Sequence, residues 1–135
     1  MIDIKTMYQD LWNAVNGICD KTYLRSRPKS VEERVGSYIV IELPYSIKNG
    51  EIDFKGTYND YITTAQICVF VKDNVSASKP NGFNVCAMDE KVRGVLEKFP
   101  IATDNILVTR PRVTMQGDDG DGFGITIIQG RLRTR

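Results

Sequence analysis

No histidine occurs in the 135 residues, and that gap removes a block of chemistry. There is no Ser-His-Asp or Cys-His pair, no imidazole metal ligand and no side chain poised to titrate near neutrality. Cysteine is sparse as well: Cys19, Cys68 and Cys86 are odd in number and show no CxxC spacing, so neither a disulfide framework nor a zinc site is specified. All three read as structural free thiols, Cys68 serving as a small hydrophobe inside the apolar run 65–71. No stretch approaches the ~20 apolar residues of a membrane-spanning helix. The opening Met1-Ile2-Asp3-Ile4-Lys5 has no basic region leading into an apolar block, so a soluble cytoplasmic protein is expected. Nor does one charge dominate. With 18 Lys+Arg against 17 Asp+Glu the net charge is +1, whereas a nucleic-acid-binding domain is usually strongly basic.

What remains is an ordinary globular composition, 41% hydrophobic and 26% charged, at a length that suits a single domain over residues 1–135. Ile4, Tyr8, Leu11, Trp12, Val15, Ile18 and Cys19 recur with a period near 3.6, predicting a helix over 4–19 with Asp3 as its N-cap and Trp12 docking it onto a sheet. Between Tyr23 and Gly36 the chain turns polar, and Pro28 forbids helix, which predicts a solvated connection. The β-branched run 37–43 predicts a strand ending at Pro44. Asn49-Gly50, set between Ile47-Lys48 and Glu51-Ile52, predicts a tight type I′ hairpin. Residues 61–72 predict a third strand, apolar on both faces toward its end and hence central there.

The Ser-, Pro- and Gly-containing segment 74–85 reads as a mobile loop without phosphate-binding spacing. Val92, Val95, Leu96 and Phe99 predict a short helix from Asp89 to Phe99, its charges matched to its dipole and its end set by Pro100. Strands 106–115 and 123–132 then flank the glycine-rich 117–122 connection as a long hairpin. The order is α-β-β-β-α-β-β: an α+β fold with a mostly antiparallel sheet packed against two helices.

Two clusters stand out. Asp118, Asp119 and Asp121 crowd the last hairpin connection, but an EF-hand needs glutamate six residues after its glycine, and Gly120 is followed there by Thr126. A solvated acidic tip that discourages self-pairing is the simpler reading. Basic groups gather at Arg25, Arg27 and Lys29 and again at Arg131, Arg133 and Arg135, the last three sharing one face of an extended strand. Such a face suits a solvated end or a protein partner better than nucleic acid, which the near-neutral chain is not built to hold. The carboxylates do not converge as enzymatic acid–base chemistry requires, so no catalytic residue, cofactor or metal is expected.

The leading helix 4–18, the Asn49-Gly50 hairpin, the strand 61–72, the helix 89–99 and the strands around 118–122 together resemble the small tail-terminator and head–tail completion proteins of long-tailed phages and prophages. The resemblance spans nearly the whole chain and lies in the order of elements. It implies a non-enzymatic virion protein that forms a ring, commonly hexameric, on the end of the tail tube and joins it to the head connector. It implies partners of that kind, with no membrane and no sequence-specific nucleic acid, and assembly in the host cytoplasm. The arm carrying Tyr45, Ile47, Ile52 and Phe54, with Arg131 and Arg133, is the expected subunit interface. On that reading Asp118, Asp119 and Asp121 would face a channel. A small α+β module that binds a ligand or peptide is the alternative.

Overall fold

A computed structural model describes residues 3–25, 35–50, 60–76, 79–119 and 122–134. Helix α1, Ile4–Val15, begins where Asp3 accepts hydrogen bonds from the Thr6 backbone N–H (3.1 Å) and the Thr6 hydroxyl (2.6 Å). The hydroxyl bond, then the backbone one, holds the Asp3 carboxyl below its ordinary range. Met7, Leu11 and Val15 are buried along one stripe, and Tyr8 and Trp12 flank them against the same core. Trp12 docks the helix as expected.

The strands are β1 (Lys21–Leu24), β2 (Ser37–Glu42), β3 (Lys48–Asn49), β4 (Tyr61–Lys72), β5 (Asn74–Ser76), β6 (Lys79–Gly82), β7 (Ile101–Ala102), β8 (Ile106–Asp118) and β9 (Phe123–Thr134). Helix α2, Val85–Leu96, follows β6. Seven strands form one sheet in the order β1-β2-β4-β9-β8-β7, with β3 paired to the start of β4, while β5 and β6 form a separate ribbon. Every pair is antiparallel except β1 with β2. β4 is central: β9 lines one edge from Ile62 to Lys72, and β2 and β3 share the other.

Both helices cover the same face of the sheet. The main core joins Met7, Leu11, Met88 and Val95 to Ile39, Ile41, Ile67, Val69, Ile106, Val108, Ile128 and Leu132. Each such side chain taken fully out of water contributes roughly 1.5–3 kcal/mol. A smaller cluster occupies the opposite face. There Tyr38 stacks on Phe70 (4.4 Å between centroids) and meets the edges of Tyr23 and Phe123, beside Val35, Val40 and Cys68.

Several local expectations need correction. Asn49-Gly50 is not a type I′ turn. The ladder runs through it, with Asn49 opposite Tyr61 and the Gly50 N–H donating to the Asp60 carbonyl at 2.8 Å. Neither residue takes the positive φ that such a turn needs. Glycine is wanted at 50 for close approach instead, because a Cβ there would overlap the Asp60 carboxylate. The polar connection after Tyr23 begins late, since residues 21–24 pair in parallel with β2; residues 26–34 lie outside the described residues. The segment expected to be a loop holds the β5–β6 ribbon. Helix α2 starts at Val85, not Asp89, because Asn84 caps it by accepting from the Ala87 N–H at 3.1 Å. Asp89 and Glu90 therefore sit beyond its first turn rather than against its positive end.

Candidate assembly surface

β8 changes character halfway along. Ile106 and Val108 are buried under the helices, whereas every residue over 110–118 is exposed. The break is a bulge: Thr109 pairs with Arg131 and Arg112 with Gln129, so Arg110 and Pro111 together face Gly130. Pro111 has no N–H to give a ladder, which confines it to an edge or a bulge. Arg110 takes a left-handed φ of 54°, uncommon for a side chain of its size. Opposite them a Cβ on Gly130 would lie 2.7 Å from Val108 Cγ1 and 2.8 Å from Phe99 Cε1. Only glycine lets Phe99 close over that point.

Beyond the bulge β8 is a sheet margin. β7 covers Leu107 and Val108, and among the described residues 110–118 pair with β9 alone. The margin is also apolar on its helix-side face: Val113 (42% exposed) and Met115 (57% exposed) stand opposite Ile128 and Thr126 and are not part of the core that the helices cover. A long unpaired edge with exposed apolar side chains is a template for another strand.

The opposite face carries a polar row across four strands. Arg112 Nη2 donates to Gln129 Oε1 (3.3 Å), Gln129 Nε2 to Gln66 Oε1 (2.9 Å), and Gln66 Nε2 to Glu42 Oε2 (3.4 Å). The row is half-exposed, so it fixes side-chain positions more than it stabilises. Beside it lies a shallow groove of about 250 Å³ lined by Thr64, Arg110, Arg112, Gln129, Gly130 and Arg131. A second depression of about 530 Å³ shares Thr64 and Arg131 and reaches Tyr45 and Lys48.

At the far end of the β8–β9 hairpin the charge reverses. The Asp119 carboxylate accepts from the Phe123 N–H at 3.1 Å, which ties the turn. Asp118 is exposed, and burial, then the neighbouring Asp118 and Asp119, pushes the Asp73 carboxyl upward. Among the described residues no group of three or more cysteine or acidic side chains is placed to hold a metal.

The residues expected to act together divide as follows. Tyr45 is 57% exposed, and its hydroxyl accepts from Gln129 Nε2 at 3.5 Å. Ile47 instead packs against the main core. Arg131 lines both depressions. Arg133 is engaged with Asp60, its Nε and Nη2 each 2.7 Å from Oδ2. Ile52, Phe54 and Asp121 lie outside the described residues. Cys19 and Cys68 are buried free thiols, each pushed up to about 11 by burial, while Cys86 is free but exposed on α2. Sequence reading passed over Arg110, Arg112, Val113 and Met115, although Pro111 within an otherwise strand-like run was the signal of an edge.

No protein-family model and no curated protein matches the sequence. Among solved structures a chain of the "Virion of native gene transfer agent (GTA) particle" is similar, with a TM-score of 0.50 and 11% identity over 94% of this chain and 90% of that one. At that identity the likeness is one of fold. The molecule is thus an α+β chain whose sheet has an open margin among the described residues, similar in fold to a chain of that particle.

Proposed function

We propose that this chain is a structural protein of a phage or phage-like virion, without catalytic function. In this reading it forms a ring that caps the tail tube and joins it to the head connector. The observation that carries the reading is the near full-length likeness in fold to a chain of a gene transfer agent virion. The surface supports it. The 110–118 margin of β8, with Val113 and Met115, offers main-chain groups and apolar area to a neighbour, and Tyr45 and Arg131 stand on the other face close by. Contact between unlike patches of identical subunits is heterologous, and it closes into a ring when the rotation per subunit fits. No helix among the described residues is long and apolar enough to cross a membrane.

Native mass spectrometry of the purified chain, alone and with a candidate tail-tube protein, tests this. A closed oligomer of one small integer, six by the resemblance, is the expected result. A strict monomer under both conditions contradicts it. The β8 margin equally suits a module that binds an extended peptide by strand addition, and a monomer that captures such peptides in one-to-one complexes favours that second reading.

A further inference from the structure

A strand that joins a sheet must suit both faces of the edge it meets. Over 112–115 the ladder with β9 is regular, so Arg112 and Thr114 point to one face while Val113 and Met115 point to the other. The first face opens on the groove that Arg110, Arg112 and Arg131 line. These arginines are exposed, and among the described residues none of them makes an ion pair. Arg93 and Arg133 differ, held by Asp89 at 2.9 Å and by Asp60 at 2.7 Å. Arg112 is steered by the uncharged Gln129 at 3.3 Å, and the bulge sets Arg110 beside it. Guanidinium groups gathered at one groove repel one another unless an anion joins them, and their planar forks match carboxylates. On the second face Val113 and Met115 stand exposed outside the core. Between the faces runs a backbone that, among the described residues, pairs with β9 alone and so turns a row of N–H and C=O groups outward. From Arg112 to Asp118 that edge measures about 20 Å at ~3.4 Å per residue, room for a strand of about seven residues.

We propose that the outer half of β8 receives an extended segment of a partner protein in which acidic and apolar side chains alternate. This rests on the reading of the margin as a docking surface and names the chemistry of the segment it takes. The segment's backbone extends the sheet, its carboxylates lie on the arginine face, and its apolar side chains lie beside Val113 and Met115. Selectivity comes from the period of two. A slip of one residue would set carboxylates against Val113 and Met115 and leave the arginines unanswered. A nucleic acid meets one requirement of the three: its phosphates answer the arginines, but it offers no strand ladder and leaves the apolar face wet. A second β8 suits the edge less well, because 110–118 itself carries two arginines and one aspartate and would add net positive charge to a positive groove.

Fluorescence anisotropy with short labelled peptides tests it. The probes are Thr-Glu-Val-Glu-Val-Glu-Thr, its analogue with lysine for every glutamate, and its analogue with serine for both valines. The first should bind, less tightly as salt rises, and each analogue should bind about tenfold more weakly or worse. Arg110→Glu with Arg112→Glu in one chain should invert the preference, so that the lysine peptide binds better than the glutamate peptide. That inversion excludes misfolding as the cause. Equal binding of the three peptides, or binding of none, overturns the proposal, and a closed oligomer in native mass spectrometry then leaves the assembly reading standing. A monomer that binds the first peptide as expected supports the proposal and removes the ring. Wild-type copies that associate through 110–118 and shut the peptide out give the edge to a second copy and overturn it. A labelled DNA strand that binds more tightly than the first peptide, and is lost with the arginine reversal, assigns the groove to phosphates and also overturns it.

Discussion

The two halves of β8 belong to the same strand and pair with the same neighbour, yet they obey different rules. Over 106–109 the strand is sealed: Ile106 and Val108 lie under the helices, and β7 protects part of the outer edge. Among the described residues, 110–118 is open, with exposed Val113 and Met115, an edge that pairs with no further strand and arginines without carboxylate partners. The inner half is held by burial, the outer half by backbone pairing to β9. A strand that needed only to fold would not carry apolar side chains and unpaired guanidinium groups so far past the core. The bulge at Arg110–Pro111 is where the chain passes from one task to the other.

The largest expected effect comes from the sealed side. Leu11→Ala should cost about 2–5 kcal/mol in urea denaturation, while Met115→Ala should change stability by no more than ~0.5 kcal/mol and reduce self-association instead. Equal costs would erase the distinction between the two regions. Next is the junction. Gly130→Ala puts a methyl against Val108 and Phe99 and should cost about 1–3 kcal/mol, because Val108 is fully buried and the Thr109 carbonyl lies 3.3 Å from the same position.

Thiol chemistry sharpens the contrast at smaller scale. Cys86 should react quickly with a disulfide reagent near pH 8, and Cys19 and Cys68, buried with thiols near 11, should react only as fast as the core opens. Three equally fast thiols would mean a core looser than described. The smallest effect lies at the tip. Asp73 has its pKa raised above 3.8 in the fold by burial and by Asp118 and Asp119, so its stabilising contribution is present below that value and lost as pH rises through the folded pKa. Asp73→Asn should therefore raise the melting temperature slightly near pH 7 and leave it unchanged near pH 3.

Much of the sealed region was legible in the sequence. Helix α1 followed from periodicity and starts at its expected Asp3 cap, though it ends at Val15 and not near 18–19, and β4 spans the predicted 61–72, because long elements against a core repeat their apolar spacing many times. Short elements did not show. β7 is only two residues long, β1 is held by a strand about seventeen residues away, and the turn residues Asn49 and Gly50 were absorbed into a ladder set by Tyr61 and Asp60. Of the expected interface, Tyr45 and Arg131 do meet at one depression. Ile47 does not join them: the chain over 43–47 is not strand, so the alternation that would keep Tyr45 and Ile47 on one face does not hold, and Ile47 packs on the core. The arginine groove was hidden because Arg110 and Arg112 lie about twenty residues from Arg131 in sequence, and only the β8–β9 register brings them together.

Hydrogen–deuterium exchange of β8, followed as protein concentration rises, probes the division most directly. If the outer half is an assembly surface, the amides over 110–118 gain protection as copies associate, while those over 106–109 are slow from the outset and do not change. Rapid exchange over 110–118 at every concentration, with and without a tail-tube partner, would contradict the account.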